Sequence, residues 1–465
     1  MHVPKLAGIT TFALTMLITG AIDSIRNLPA TALFGSALIF FFIFSAIVFL
    51  IPTALVSAEL SSHSTEKSGI FHWVHTAFGE KAAFLAIWLQ WINTMVWFPT
   101  ILSFIIGTAT YFINPALSQN KFFLISVILI TFWTMTLVTL RGIHFSAKFS
   151  SFCAVVGMII PMVLIVGLAI VWIALGNPSQ ISFNTQDIFP TLDTSENWIS
   201  LTAIMTAFLG MELATVHIKE VANPQKTFPR ALFISVMTIL VTMILGALAI
   251  AMVLPKAQIN LVNGVIQAFT DFFATYHMTW VIPIITVMML LGSFGGVISW
   301  VISPARGLLH AAELDFLPKV FTKQNSRHIP INLLFMQATL VSIICLVFLL
   351  MPSVNGSYWL LTALSTQLYI IMYVIMFLSA IRIKFKFIPP AGGFVIPGGK
   401  LGMLAVALLG LFGCFITLTV GFIPPPGIDF GGFWYYELMF VSGLVIMITP
   451  VIFFYLYQHY KRRNS

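Results

Sequence analysis

The sequence predicts an all-α membrane protein, a bundle of helices that cross the bilayer many times. Only 8% of the residues are charged, 59% are apolar and the mean hydropathy is +1.02. A soluble chain of 465 residues needs far more charge to cover its surface, so lipid must solvate much of this one. Apolar runs of about 20 residues, the length that crosses a bilayer as a helix, recur along the whole chain. The period-two alternation that is typical of membrane β-barrels is absent from the sequence.

Twelve apolar runs predict twelve transmembrane helices, which we call spans 1 to 12 in chain order. No segment between them is long enough to fold as a separate domain, so residues 1–465 form one transmembrane unit. The predicted spans are 7–34, 36–58, 83–113, 122–140, 149–175, 198–218, 230–254, 280–311, 332–351, 357–382, 401–423 and 436–459.

The basic residues indicate which side of the membrane each loop faces. With both termini in the cytoplasm, 19 of the 22 Lys and Arg residues fall on the inside. Lys121 and Lys256 fall outside, and Arg26 lies within span 1. This asymmetry follows the positive-inside rule, so the net charge of +8 reports topology and predicts no nucleic-acid partner. The expected location is a plasma membrane, the bacterial inner membrane, with the lipid bilayer as the main partner.

Spans 1 and 6 contain residues that interrupt a helix. Span 1 carries Gly20, Asp23 and Arg26 at mid-membrane depth, and span 6 carries Gly210 and Glu212. Interrupted helices in matching positions of two five-helix halves predict a transporter with inverted repeats. Open backbone at this depth is tolerated only where it faces protein or a water-filled cavity. The free N–H groups at a half-helix N-terminus can take the carboxylate of a substrate there.

Several motifs occur in a fixed order along nearly the whole chain. They are FLGMELATVHIKEVANP at 208–224, SWVISPARG at 299–307, IPTALVSAE at 51–59, IPGGK at 396–400 and FIPP at 422–425. In these motifs the chain resembles the amino acid–polyamine–organocation superfamily, and within it the glutamate/γ-aminobutyrate antiporter branch.

The resemblance implies a five-plus-five inverted repeat, with helices 1–5 in residues 1–175, helices 6–10 in 198–382, and two added helices in 401–459. It implies sodium-independent exchange or proton-coupled uptake of an amino acid or amine by alternating access, without a cofactor. The substrate would be glutamate, γ-aminobutyrate or another amino acid. Phe208 would cover it. The residues that the resemblance places at the substrate are Thr19, Gly20, Ala21 and Ile22 in the interruption of span 1, Phe208, Gly210 and Met211 in that of span 6, Trp97 in span 3 and Trp300 in span 8.

One departure from the branch concerns charge. The branch often carries a carboxylate in the middle of span 8, where this chain has Gly295 and Gly296. Asp23 and Arg26 stand instead in the interruption of span 1, where relatives are usually uncharged.

Two interpretations of Asp23 and Arg26 follow from their spacing. Three residues apart, they would share one face if the segment were helical, and could form an ion pair that holds the helix. Alternatively, Arg26 binds a substrate carboxylate and Asp23 takes a proton or the substrate amine. A charge at the membrane midplane costs about 2.5–3.5 kcal/mol, so an idle role is not expected for either.

Glu212 also has two interpretations. Burial disfavours the charged form of a carboxylate, so Glu212, like Asp23, could carry a proton. It could equally hydrogen-bond the open backbone of span 6 and fix its shape. Glu59 lies near a helix end and is expected at the membrane interface.

Other classes of function find little support in the sequence. No protease, hydrolase or nucleotide-binding motif appears, so the chain is predicted not to be an enzyme and no catalytic residue is assigned. Cys153, Cys345 and Cys414 lie in separate spans without metal-ligand spacing, so they are expected to be core residues and no metal is predicted. The alternative function is a channel or nutrient sensor that keeps the transporter fold without alternating access.

Overall fold

The computed structural model describes residues 10–63, 69–141, 152–153, 155–190, 198–215, 221, 223–386 and 393–464. Within these ranges the chain is almost entirely helical, and an isolated β bridge joins Gln324 and Pro330. The prediction of an all-α protein is therefore confirmed.

The α-helices of the described residues are numbered in chain order. They are α1 Thr11–Ile22, α2 Leu28–Ala32, α3 Leu38–Ser45, α4 Ile51–His63, α5 Ile70–Phe78, α6 Glu80–Ile113, α7 Lys121–Leu140, α8 Ile160–Ala174, α9 Thr185–Ile188, α10 Ser200–Ala207, α11 Met211–Thr215, α12 Pro224–Val253, α13 Gly264–Thr275, α14 Ile282–Glu313, α15 Ile331–Ile344, α16 Val347–Leu350, α17 Val354–Lys386, α18 Gly399–Val420, α19 Phe433–Ile448 and α20 Pro450–Asn464.

Ten helical stretches of the described residues are long and apolar enough to cross a membrane. They correspond to all the predicted spans except spans 1 and 6. At residues 7–34 the structure has the shorter helices α1 and α2, and at 198–218 it has α10 and α11. These are the two spans whose sequences predict an interruption, which is why neither provides one long helix.

Two of the long helical stretches contain a π-helical segment just before a proline. The segment Ala46–Leu50 precedes Pro52, and the segment Val155–Ile159 precedes Pro161. Proline lacks the N–H that would continue the helical ladder, and its ring displaces the carbonyl one turn earlier. The wider π turn accommodates this disturbance within an otherwise continuous helix.

The helices pack in two groups that face each other. In one group, α6 packs along both α14 and α17. In the other, α1 packs against α12 and α11, and α11 also packs against α4. The interrupted helices therefore belong to one group and face the long helices of the other.

The helical stretch Val155–Ala174 crosses α14 so closely that the backbones of two glycines touch. A Cβ added at Gly157 would lie 2.2 Å from the Cα of Gly292 on α14. One turn further along α14, a Cβ at Gly295 would lie 2.6 Å from the Cβ of Cys153. This close approach explains why position 295 cannot carry the carboxylate that the branch often has in this region. Cys153, Cys345 and Cys414 are all buried, as expected of core residues.

Glu59 is buried near the end of α4, and its position at the membrane interface stays a prediction. Its carboxylate accepts hydrogen bonds from Lys384 Nζ at 2.5 Å and from the backbone N–H of Ile396 at 2.7 Å. The ring of Phe394, two residues before Ile396, packs on Phe228 of α12 with centroids 5.0 Å apart. Lys384 is separated from Glu59 by 325 residues, so no local pattern could reveal the pair.

Candidate functional site

The first interruption follows α1. Asp23 and Ser24 have extended backbone, with φ/ψ of −66°/127° and −151°/115°, and a single 3₁₀ turn, Ile25–Asn27, then leads into α2. Asp and Ser side chains compete with the backbone for hydrogen bonds and favour such non-helical segments.

The predicted position of this interruption, Thr19 to Ile22, is therefore wrong. These residues form the last turn of α1, and the carbonyl of Thr19 accepts the N–H of Asp23 at 2.8 Å. Gly20 and Ala21 continue the helix because glycine weakens a helix without ending it. The helix opens only at Asp23, the next residue.

The second interruption separates α10 from α11. Phe208, Leu209 and Gly210 form a turn, with Gly210 at a φ of +100° that side chains rarely adopt. Met211, predicted as part of the interruption, is instead the first residue of α11. The free N–H of Gly210 donates to the hydroxyl of Tyr373 on α17 at 2.9 Å.

A cavity of about 270 Å³ lies between the two interruptions. Its wall combines backbone from both interrupted helices with side chains from α6, α14 and α17. Of the residues that were predicted to bind substrate, those that line it are Gly20, Ile22, Asp23, Arg26, Trp97, Gly210 and Trp300.

The remaining predicted residues lie elsewhere. Phe208 is fully buried outside the cavity wall and packs its ring edge-on against Phe42, 5.8 Å away, and its role in covering the substrate stays a prediction. Thr19 and Met211 are buried outside the cavity wall, and the side chain of Ala21 lies outside the described residues. A turn rotates successive side chains to different faces, so spacing alone could not determine which residues face inward.

Arg26 is held at one end of the cavity by the two long helices. Its Nη1 donates to Thr100 Oγ1 at 2.8 Å on α6 and to the hydroxyl of Tyr358 at 3.5 Å on α17. The guanidinium lies 5.5 Å from the ring centre of Trp97, a cation–π distance. The Nε atom is buried and has no hydrogen-bond partner. The guanidinium of Arg26 is thus fixed in place, and its Nε–H donor is unused.

Asp23 has partners of its own. Its Oδ2 accepts a hydrogen bond from Thr242 on α12 at 2.9 Å, and its buried Oδ1 has no partner. Among the ion pairs of the described residues, none joins Asp23 to Arg26. The structural ion pair is therefore excluded in this conformation, because extended backbone at residues 23 and 24 removes the shared helix face that the pair requires.

Glu212 is buried beside the cavity in a cluster of hydroxyl and amide donors. Its Oε1 accepts from Tyr369 at 2.5 Å and from Gln90 at 3.0 Å, while Tyr373 donates to Oε2. Tyr373 also accepts the N–H of Gly210, so Glu212 is linked to the open backbone of span 6 through one tyrosine. Tyr369 and Gln90 line the cavity and separate it from the carboxylate.

Sequence reasoning missed the polar residues that α6 and α17 contribute to the wall. Gln90, Asn93 and Thr94 lie within one turn or so of each other on α6, and Ser365 of α17 donates to Asn93 Oδ1. Singly, each is an uncharged residue in an apolar helix. The signal that could have found them is their helical spacing, since residues three and four apart share a face.

The chain matches the amino acid permease family over residues 9–448. The chain belongs to the amino acid permease family. An uncharacterized transporter of Legionella pneumophila is 38% identical, and the alignment covers 94% of each chain. A glutamate/γ-aminobutyrate antiporter of Lactococcus lactis is 28% identical over 98% of this chain and 91% of the relative. A probable agmatine/putrescine antiporter of the same species is 24% identical over 77% and 75%.

Membership of the permease family confirms the resemblance seen in the ordered motifs. The family and these relatives are permeases, transporters and antiporters by name, and not enzymes. The prediction of a multi-pass membrane transport protein for amino acids is thereby confirmed at the level of the family.

Proposed function

We propose that the chain is a secondary active, sodium-independent amino-acid antiporter that works by alternating access and binds its substrate in the cavity between the two interruptions. The observation that carries the proposal is that Asp23 and Arg26, which line that cavity, each have a buried polar atom without a partner, Oδ1 and Nε. Buried polar groups normally have partners, so unused donors and acceptors at a cavity wall suit a ligand.

The free edge of Arg26 suits a carboxylate. Both of its hydrogen bonds leave from Nη1, and Nε is buried without a partner, so the donors of the Nε–Nη2 edge are unused and could make two parallel bonds. A planar guanidinium binds a carboxylate in this bidentate way with geometric specificity. Asp23 Oδ1 then offers an acceptor for the substrate's ammonium group.

The charges of the cavity restrict the substrate. Asp23 and Arg26 are the charged residues of its described lining, and their formal charges cancel. A zwitterion such as γ-aminobutyrate matches both groups. A net anion such as glutamate leaves one negative charge uncompensated unless a carboxyl group takes up a proton. The site thus suits glutamate- or γ-aminobutyrate-like substrates, and proton uptake accompanies the more acidic one.

Asp23 and Glu212 are the residues proposed to carry that proton. Asp23 faces the substrate directly. Glu212 is reached through Tyr369 and Gln90, which line the cavity and hydrogen-bond its carboxylate. Tyr373 donates to Glu212 and accepts the N–H of Gly210 in the interruption of span 6. Protonation of Glu212 would change both hydrogen bonds, and the charge of Glu212 is therefore coupled to the conformation of that backbone.

The proposed topology has twelve transmembrane helices. Ten long helical stretches and two interrupted ones support this number. The five-plus-five inverted repeat, with residues 1–175 and 198–382 as its halves and 401–459 added, is proposed from the matching interruptions. The excess of basic residues on one side supports cytoplasmic termini and a bacterial inner membrane. Sodium independence rests on the family resemblance.

Counterflow in proteoliposomes tests this function. Vesicles preloaded with an unlabelled amino acid or amine should accumulate a labelled one at a saturable rate, equally well in potassium and sodium buffers. A glutamate and γ-aminobutyrate pair is tried first, followed by the other amino acids and amines. Absence of exchange across the panel by folded protein would refute the proposal. Single-channel currents instead of saturable uptake would favour a channel.

A further inference from the structure

We propose that Gln337 is a positioning residue that sets the width of the candidate cavity and thereby selects substrates by their length. Gln337 lies in the middle of α15, a helix that contributes none of the described residues that line the cavity. Its side chain is fully buried and acts through Trp91 and through α14, which do line it. The inference rests on the proposed function, because it concerns which substrate that cavity accepts.

The amide group of Gln337 joins three helices. Its Oε1 accepts a hydrogen bond from Nε1 of Trp91 on α6 at 2.9 Å. Its Nε2 donates to the backbone carbonyl of Val301 on α14, also at 2.9 Å. Helix α15 packs against both α6 and α14. Because the acceptor and the donor belong to one planar amide, the two bonds together fix the position of Val301 relative to Trp91.

The carbonyl of Val301 lies where α14 is weakened. Pro304, inside α14, has no N–H for the carbonyl of Trp300, and its ring crowds that carbonyl. A helix bends most readily at such a proline. Val301 directly follows Trp300, so Gln337 holds the turn in which α14 can bend. Trp300 and Pro304 both line the cavity, and the bend therefore decides how far this wall reaches inward.

Trp91 is the fixed reference point on α6. Its side chain is fully buried, and its ring centre lies 5.0 Å from that of Trp88. Trp88 is held in turn, because its Nε1 donates to the carbonyl of Met447 on α19 at 2.9 Å. The bend of α14 is thus set against a tryptophan whose own position is secured by its neighbours.

The wall of α14 faces the group that is proposed to bind the substrate carboxylate. The ring centre of Trp300 lies 6.0 Å from that of Trp97, which lies 5.5 Å from the guanidinium of Arg26. A substrate bound to Arg26 therefore meets a wall whose distance Gln337 fixes. One methylene more or less in a fixed pocket changes affinity about 10- to 200-fold. A wall that is free to move accommodates the difference, so the discrimination falls.

A purely structural role of Gln337 makes a different prediction. Hydrogen bonds between side chains and neighbouring helices contribute to packing in membranes without regard to a substrate. Gln367 is a buried glutamine of this kind, since its Nε2 donates to the carbonyl of Thr417 on α18 at 2.8 Å and it does not line the cavity. Gln367→Met is therefore the matched control for the loss of a bond between helices.

Competition among homologous ω-amino acids tests selection by length. The probes are β-alanine, γ-aminobutyrate and 5-aminovalerate, which differ by one methylene each and compete in counterflow. If counterflow finds another substrate, its own homologues replace them. Gln337→Met keeps the length of the side chain but removes both bonds, and we expect the ratio of inhibition constants between neighbouring probes to fall about tenfold. The maximal exchange rate should change far less, and Gln367→Met should keep the ratio of the parent.

A double-mutant cycle shows whether Gln337 acts through Trp91. Trp91→Phe removes the same hydrogen bond from the other partner, so the effects of Trp91→Phe and Gln337→Met on the ratio should not add. Gln337→Asn keeps an amide that is too short to reach both partners, and it replaces the methionine variant if that protein does not fold. Additive effects, or the parent's ratio in folded Gln337 variants, would overturn the proposal.

Fluorine NMR of protein labelled with 5-fluorotryptophan tests the wall without any substrate. The resonance of Trp300 is identified by its loss in Trp300→Phe. Gln337→Met should shift or broaden it, because the turn beside Trp300 loses its tether, whereas Gln367→Met should leave it unchanged. An unchanged resonance in folded Gln337→Met protein would refute the link between α15 and the wall.

The two proposals fail in different ways. If the resonance of Trp300 responds but no amino acid or amine is exchanged, the role of Gln337 in the wall stands and the antiporter function fails. If exchange is saturable but neither the ratio nor the resonance responds, the inference about Gln337 alone fails. A resonance that moves while the ratio stays would overturn selection by length.

Discussion

Replacement of Arg26 by glutamine is the most direct test of the site. The change removes the positive charge and the Nε–Nη2 edge but keeps a polar side chain of moderate length. Two charge-assisted hydrogen bonds to a substrate carboxylate are lost, each worth at least about 1.5 kcal/mol. The total of about 3 kcal/mol corresponds to a dissociation constant raised roughly 150-fold.

The assay is equilibrium binding of a counterflow substrate to purified protein, by isothermal titration calorimetry. Arg306→Gln provides the matched control, since Arg306 is exposed on α14 and does not line the cavity. Arg26→Lys keeps the charge without the planar fork, and we expect affinity between those of the parent and the glutamine variant. Folded Arg26→Gln protein with the affinity of the Arg306 control would refute the assignment.

The double variant Asp23→Asn/Arg26→Gln addresses the alternative that the two residues support each other. A protein loses several kcal/mol of folding stability when one partner of a buried ion pair is removed, and removal of the second partner restores much of that stability. Because Asp23 bonds to Thr242 and Arg26 to Thr100, we expect no such recovery. Transport regained by the double variant would show that the pair forms in another conformation of the cycle.

Four further changes probe other parts of the molecule. Asp23→Asn nearly preserves shape but removes a group that can be protonated, so exchange measured over a range of pH should lose part of its pH dependence. Glu212→Gln should preserve exchange but abolish uptake driven by a pH gradient, and unaltered gradient-driven uptake would exclude it as the proton carrier. Lys384→Met should lower the free energy of unfolding by about 3–5 kcal/mol, because it leaves a buried carboxylate without its cation, and Glu59→Gln in the same chain should restore most of it in thermal unfolding. Gly157→Ala should reduce folded yield in size-exclusion chromatography, since its Cβ would lie 2.2 Å from backbone of α14.

The sequence was sufficient for the fold class and for the two interrupted spans that border the candidate cavity. A helix in lipid needs no polar face, so an apolar run of sufficient length predicts a long helix directly. Charged residues and glycines within spans 1 and 6 predict that these two helices are interrupted. The details inside the interruptions could not be predicted. The helix α1 ends at Ile22, next to Asp23, which accepts a hydrogen bond from Thr242, more than 200 residues away.

The side chains of the long helices were also beyond prediction. Gln90, Tyr369 and Tyr373 converge on Glu212 only because α6 and α17 pack beside α11, and their separations of 122 to 161 residues leave no local pattern. The direction of the Phe208 side chain was equally hard to predict. Phe208 lies within a strong motif, but the turn at Gly210 directs its ring to Phe42 rather than to the cavity.

The glycine crossing has a mechanical consequence. At Gly157 and Gly292 the two backbones meet with no side chain of either residue between them, so a rotation about this point would meet no side chain there. From Gly292 to Pro304, which lines the cavity, α14 rises about 18 Å. A swivel of about 10° would then shift Pro304 by roughly 3 Å, comparable to the width of a water molecule, while the crossing itself scarcely moves. A small rotation at a fixed point about 18 Å from Pro304 would thus be enough to widen or narrow the candidate cavity.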